Sequence, residues 1–287
     1  MTPQALVKDV EQLVSLPDLF LRVNEMIDSQ RYSAIDIAQV ISQDTNLSVR
    51  LLKMVNSSFY GLRGKVDTIS RAITIVGTSD LRNLAITTAT AEVFTDIPAE
   101  LVNMNQFWRN AVSTGVIAKE FATCSHVLHP ERFFVMGMLH DVGKLVIYQA
   151  LPELARDLLF VIDGDETLLL DAEQDILGFT HQEVGYELFK QWRLPGSVCA
   201  AARCHHQPFE SSEFALETAI IHLADYLVLA GSRGTPLNEA LLDVDHRIWP
   251  ITGLIEPDIH GVMERVPHLI AEIEAVIYST SADHACP

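Results

Sequence analysis

The chain of 287 residues is long enough for one or two domains with substantial cores, and 48% hydrophobic against 20% charged residues reads as soluble and globular, not disordered. A formal net charge of −18, from 38 acidic and 20 basic residues, argues against nucleic acid and anionic membrane as direct partners. The opening MTPQALVKDVEQLV lacks a basic segment followed by an apolar core, and the apolar run ETAIIHLADYLVLAG carries His222 and Asp225, so a cytoplasmic protein without a signal peptide or membrane span is expected.

Helix follows helix along the chain. In SLPDLFLRVNEMI, Ser15 precedes Leu16 and Pro17, and apolar residues at helical spacing run to about Ile27. In RYSAIDIAQVISQD, Ser33 with Asp36 three positions on forms a capping box, and Ile35, Ile37, Ala38 and Ile41 give the buried face. NLSVRLLKMVNS continues with Leu47, Leu51, Met54 and Val55 on one side, and SSFYGLRG is a loop anchored by two aromatics. The basic residues Arg50, Lys53, Arg63, Lys65 and Arg71 suit a solvated face or pairing with nearby acids better than a binding patch. TISRAITIVGTSDLRNLAITTATAEVF predicts two helices broken at Gly77, with Ser79 or Asp80 capping the second.

The pattern is interrupted by FTDIPAELVNMNQFW around residues 95–105, which predicts an N-terminal helical subdomain over 1–98 and a second over 99–287 with a C-terminal helical extension. In the second, FWRNAVSTGVIAKEFATC is amphipathic, and Ala111, Gly115 and Ala118 permit close helix packing. ERFFVMGMLHDVGKLVIYQALP reads as one apolar helix, and HQEVGYELFKQWRLP ends at Pro195, with GSVCAAARCHH restarting at once. Thr180, with Glu183 three positions on, is a reasonable cap. ETAIIHLADYLVLAG is a buried helix stopped by Gly231, and PDIHGVMERVPHLIAEIEAVIYS supplies the last helix, carrying Pro267. No strand alternation persists and no fixed-period repeat occurs, so the expected fold is all-α, two packed helical bundles.

Of the four cysteines, Cys124, Cys199, Cys204 and Cys286, no pair has the spacing of a zinc knuckle. Cys199 and Cys204 in SVCAAARCHH suit helix packing, and reduced thiols are expected. The chemistry-bearing pattern is different: His140 and Asp141, His181, His205 and His206, then His222 and Asp225 all interrupt or border apolar helices. A lone histidine on such a helix is usually a hydrogen-bonded core residue. Adjacent His–Asp is more telling, because an imidazole and a carboxylate can reach one ion from a single turn, and separate helices of a bundle can converge on a metal pair. Such a ligand set suits divalent iron, zinc, manganese or nickel, as one or two ions. Lys144 either supplies charge to a phosphate or is an ordinary helix-end lysine. His222 shares a helical face with Asp225; it either hydrogen-bonds it or packs, ligation being the lesser reading. His126, His129, His246, His260, His268 and His284 suit surface or capping roles, and Trp108, Trp192 and Trp249 suit core anchors.

LHDVGK resembles the motif of the HD superfamily of metal-dependent phosphohydrolases. The ordered set SLPDLF, ISQDTNLSVRLLKMVNSSFYG, AITIVGTSDLRNLAI, FW at 107–108, FVMGMLHDVGKLVI, ILGFTHQEVGYELFKQWRLP and HH at 205–206 resembles, over roughly residues 8–230, the HDOD domain, a divergent branch found in bacterial signalling proteins. The resemblance implies an HD-like second bundle and metal ligation by His140, Asp141 and Asp225, with His181, His205 and His206 added in two-metal members. It also places Asn110 where the superfamily's first histidine is expected, and an asparagine amide is a weak neutral donor. The glycine–tyrosine–proline motif of cyclic-dinucleotide phosphodiesterases is missing, since QPFESSEF follows the histidine pair. The function implied is regulatory, through signalling protein partners or a small phosphorylated ligand and without efficient turnover. The alternative is a metal-dependent phosphohydrolase. No glycine-rich loop matches a phosphate-binding spacing.

Overall fold

The computed structural model describes residues 1–10, 14, 16–29, 31–94 and 97–278, and all regular structure among them is helical. Ser15, His284 and Cys286, singled out above, lie outside the described residues. The chain divides into two compact units, one of residues 16–92 and 261–287, the other of residues 1–15 and 93–260. Helix α1 (Pro3–Asp9) belongs to the second unit; α2 (Asp18–Ser29), α3 (Ala34–Ile41), α4 (Thr45–Val55), α5 (Ile69–Val76) and α6 (Thr78–Val93) make up most of the first.

In that first unit, Ser33 and Asp36 close the capping box at the start of α3, each bonding the other's backbone N–H. Asp44 caps α4 by accepting from the Leu47 N–H at 2.9 Å. Gly77, at φ +90°, separates α5 from α6 in a conformation L-residues rarely adopt. The second of this pair starts at Thr78, one residue earlier than the expected caps, so Ser79 and Asp80 lie within its first turn, where the acid meets the positive end of the helix dipole. Arg71 lies 3.9 Å from Asp67, while Arg63 and Lys65 are exposed.

The other unit contains α7 (Met104–Cys124), α8 (Glu131–Leu139), α9 (Val142–Ala150), α10 (Pro152–Ile162), α11 (Leu169–Leu177), α12 (His181–Gln191), α13 (Gly196–Cys204), α14 (Ala215–Ser232), α15 (Leu237–Leu242) and α16 (Ile248–Thr252). A last helix, α17 (Glu256–Tyr278), carries Pro267 in its interior. Helices α7, α8 and α14 pack together, and α12 packs against α1, α9 and α13. The approach of α7 to α8 depends on a glycine pair: a β-carbon on Gly137 would stand 2.6 Å from the Gly115 Cα. His126, in the left-handed region at φ +56°, closes α7, with the Val127 N–H reaching back to the Ala122 carbonyl. Trp108 is buried edge-on to Phe107, and Trp192 donates its indole N–H to the Val14 carbonyl at 3.2 Å.

Two features depart from the sequence reading. The single helix expected over residues 131–150 is two helices, α8 and α9, with His140 and Asp141 at the break. Residues 152–177, for which no helix was expected, form α10, a 3-10 turn at Glu166–Leu168, and α11. Among the described residues, α14 alone is long and apolar enough to cross a membrane, but half of it is buried, it carries buried Asp225, and it packs on α7, α8 and α13.

Candidate metal centre

The helix break builds the site. Because α8 ends at Leu139 and α9 starts at Val142, His140 and Asp141 occupy a corner and can turn their side chains the same way. His140 Nδ1 donates to the Gly137 carbonyl at 2.6 Å, which turns Nε2 into the site. That Nε2 is buried, makes no hydrogen bond, and stands 3.2 Å from Asp225 Oδ1 on α14.

His181 opens α12, and three hydrogen bonds fix the start of that helix. Glu183 accepts from the Thr180 N–H at 3.0 Å in the expected capping box. Glu173, from α11, accepts both the His181 backbone N–H and its Nδ1–H at 2.8 Å. The helix comes close because residue 143 is glycine: a β-carbon there would lie 2.0 Å from the His181 carbonyl oxygen. At the C-terminal end of α13, His205 Nδ1 donates to the Ala202 carbonyl at 2.9 Å. His222 donates through Nδ1 to the His205 carbonyl at 2.7 Å, so it braces the histidine pair through the backbone instead of bonding Asp225.

The anchored Nδ1 atoms of His181 and His205 leave their Nε2 atoms facing each other at 3.2 Å, and Asp141 Oδ1 lies 3.4 and 3.3 Å from them. Ligating atoms of Asp141, His181, His205 and His206 all fall within 4.8 Å of one another, as do those of His140, Asp141 and Asp225. Asp141 is common to both groups. Asp141 Oδ1 and His206 Nε2 are buried without hydrogen-bond partners. Imidazole nitrogens converging on a carboxylate oxygen that has no hydrogen-bond partner make a centre suited to positive charge, and imidazole with carboxylate is the donor set of divalent first-row metals. The two groups could coordinate one or two divalent ions.

Electrostatics follow the same logic. Burial drives the His205 imidazole down to about 4, and burial with the neighbouring His205 and His181 rings drives His206 far below its ordinary value, so both are neutral donors at pH 7. Burial disfavours ionised Asp141, but Lys144 and His140 more than compensate and hold its carboxyl well below the usual range. His181 goes the other way: against burial, Glu173 and Asp141 push it up to about 9. Lys144, buried in the first turn of α9, bonds Asp141 Oδ2 at 2.8 Å and lies 3.5 Å from Glu166 Oε2. It is therefore not a C-terminal lysine answering a helix dipole; carboxylates fix its charge.

A cavity of about 250 Å³ opens on His140, Asp141, Lys144 and Asp225, with Asn110, Gln106 and Tyr148 also lining it. Asn110 thus does face the site, but its Oδ1 accepts from Gln106 Nε2 at 2.7 Å. A second cavity of about 380 Å³ reaches His206, His222 and Asp225. Glu173 and Gly143 were not singled out in sequence. The signal for Glu173 was a carboxylate on the apolar face of its helix beside Leu169 and Ala172. Cys199 and Cys204 are buried free thiols outside the site, and burial pushes Cys199 up to about 11. His246 is exposed, and His260 lies 3.6 Å from Glu256.

A helical unit with a His–Asp corner and convergent histidines defines a class of protein, and residues 13–208 match the model of the HDOD domain. The chain belongs to the HDOD family. It is 30% identical over 202 residues to an uncharacterized protein of Treponema pallidum (strain Nichols), covering 69% of this chain but only 38% of that relative's length. Among crystal structures it is similar to a protein of Shewanella amazonensis SB2B, provisionally named a phosphohydrolase, with TM-score 0.74, 23% identity and coverage of 95% of this chain and 97% of that one. It is also similar to an HDOD domain protein of unknown function from Geobacter sulfurreducens, with TM-score 0.70, 24% identity and 96% of each chain covered. At these identities the likeness is one of fold.

Proposed function

We propose that this chain is a regulatory HDOD protein of bacterial signal transduction, cytoplasmic, that works by binding protein partners or a small phosphorylated ligand without efficient catalysis. His140, Asp141, His181, His205, His206 and Asp225 form the donor set from which its metal ligands are drawn. The observation that carries this reading is the internal pairing of the groups facing the 250 Å³ cavity: the Lys144 ammonium is shared by Asp141 and Glu166, and the Asn110 oxygen is bonded to Gln106. Phosphoryl transfer is accelerated by cationic groups whose contacts strengthen as charge develops, and a lysine already neutralised by two carboxylates is poorly placed for that. The cavity still offers polar amides beside apolar Leu159 and Leu229, which suits recognition of a small ligand.

A second reading, metal-dependent phosphohydrolysis, is favoured by the convergence of imidazoles and carboxylates within 4.8 Å beside that cavity. A divalent ion there would supply Lewis acidity toward a phosphoryl oxygen. This chain's own residues would orient it: Glu173, Gly137 and Ala202 fix the rings, and Lys144 meets the anion.

The test is metal-replete protein assayed for hydrolysis of p-nitrophenyl phosphate, bis-p-nitrophenyl phosphate and cyclic dinucleotides, alongside thermal-shift screening of phosphorylated metabolites. Ligand-induced stabilisation with turnover well below about 1 s⁻¹, the low end of ordinary enzyme rates, is expected. Turnover above that, lost in His140→Ala and His205→Ala, selects the hydrolase.

A further inference from the structure

The two donor groups are not equivalent. We infer that the centre holds a single resident ion, in the group Asp141–His181–His205–His206, and that Lys144 fills the place a second ion would take beside His140, Asp141 and Asp225. This rests on the metal-centre reading above and says which half of it is occupied.

The division runs through Asp141. Its Oδ1 faces His181 Nε2 and His205 Nε2 at 3.4 and 3.3 Å and has no hydrogen bond, so it is available as a ligand. Its Oδ2 faces His140 Nε2 at 3.6 Å and is already bonded to Lys144 Nζ at 2.8 Å. The shared carboxylate therefore offers a free oxygen to one group and an oxygen carrying an ammonium to the other. A divalent ion bound through Oδ2 would sit within a few ångströms of that fixed positive charge, inside a buried site where like charges are weakly screened.

Ligand number points the same way. The first group has four donors, enough for a closed tetrahedral set, and three are imidazoles. The second has three, and the neighbouring Asn110, which lines the cavity there, has its only ligating atom engaged by Gln106. His181 and His205 are fully enclosed and fixed through Nδ1, with Glu173 and His222 behind them. His140 is likewise fixed through Nδ1, to the Gly137 carbonyl, and with Asp225 it lines the 250 Å³ cavity, as half-buried His206 lines the other. The half around Asp141 Oδ1 offers an unbonded oxygen to an ion, and the half around Asp141 Oδ2, with a lysine in place of one, is built to meet an anion.

The experiment is elemental analysis of the full chain purified without chelator, then loaded with Mn²⁺ and followed by electron paramagnetic resonance. Wild type is expected to hold one equivalent with the hyperfine pattern of an isolated ion. His140→Ala should keep that ion and His205→Ala should lose it; His206→Gln, at a half-buried position, serves as a second variant in case His205→Ala fails to fold. The double variant Asn110→His/Lys144→Met should rise to two equivalents with the altered spectrum of a coupled pair. Two ions in wild type, an ion lost in His140→Ala but kept in His205→Ala, or a double variant still at one would each overturn the inference while leaving a metal centre in place. No ion in any folded variant would remove the metal-centre reading together with it.

Discussion

Replacing Gly143 by alanine tests whether the site depends on backbone contact between α9 and α12. A helix-interior glycine exchanged for alanine ordinarily gains about 1 kcal/mol. At position 143 the new β-carbon would stand 2.0 Å from the His181 carbonyl oxygen and 2.8 Å from the Gly185 nitrogen. Both are backbone atoms, so no rotamer change relieves the clash, and an ordinary contact requires the helices to part by on the order of 1 Å. Overpacking of this kind costs about 1–3 kcal/mol, which reverses the sign of the propensity gain. The same displacement pulls Asp141 away from His181, now 3.4 Å apart. Trp108, Trp192 and Trp249 all lie in the unit of residues 93–260, so tryptophan fluorescence during thermal or urea unfolding reports on that unit. The expected result is a Tm lowered by roughly 2–12 °C, with weaker metal retention. Gly231→Ala is the control: it lies in α14 with nothing within 4 Å of the added carbon, and should be neutral or up to about 1 kcal/mol more stable. Equal stability gains in both variants would refute the close-approach argument.

Glu173→Ala strips the acceptor from two buried His181 donors, and should cost about 1–3 kcal/mol and lower metal affinity about 10–100-fold; Glu173→Gln should recover part of both, and an unchanged metal isotherm for the alanine variant would count against the bracing role. Ser33→Ala removes one half of the α3 capping box and should destabilise the unit of residues 16–92 by about 1 kcal/mol, read by far-ultraviolet circular dichroism during denaturation. Maleimide labelling of native protein at pH 8 should modify half-buried Cys124 ahead of Cys199 and Cys204, whose thiols burial pushes up; fast modification of Cys199 would contradict its packing. His181, raised to about 9, carries a proton at pH 7 that a bound cation must displace. Divalent-ion affinity should therefore climb as pH rises toward 9, with about one proton released at pH 7, measurable by titration calorimetry in buffers of different ionisation enthalpy; an enthalpy independent of buffer would refute it.

Local rules made much of the fold legible. Ser33 with Asp36 and Thr180 with Glu183 are capping boxes because each pair satisfies donors three residues apart, a purely local matter. Gly77 breaks its helix through an equally local property, a backbone conformation at φ +90°. Polar residues on apolar helices marked a set that included His222; the resemblance to the HDOD domain narrowed it to His140, Asp141, His181, His205, His206 and Asp225, and the structure brings these six side chains together. What sequence could not show was non-local. Glu173 reaches His181 only because α11 folds back along α12's start, and His222 turned out to serve a carbonyl, which no spacing reveals. The break at His140–Asp141 was missed because residues on both sides are equally apolar, so hydrophobic periodicity runs through it without interruption.

That break also explains why the motif alone does not settle the chemistry. Read as one continuous helix, LHDVGK puts Lys144 one turn beyond His140, free to reach a ligand. In the folded chain Lys144 lies in the first turn of a new helix, where the partial positive charge of the N-terminus disfavours an ammonium. Its buried charge is sustained by carboxylates instead, Asp141 on one side and Glu166 on the other. Those partners differ in kind. Asp141 is half-buried and tied to the histidine cluster, whereas Glu166 is largely exposed on a 3-10 turn and belongs to both cavities. On the proposed reading an incoming phosphate would compete with Glu166 for Lys144, not with Asp141, and would leave the His181–His205 side of Asp141 undisturbed. On the regulatory reading proposed above, ligand occupancy would then be reported by the Glu166 turn at the surface.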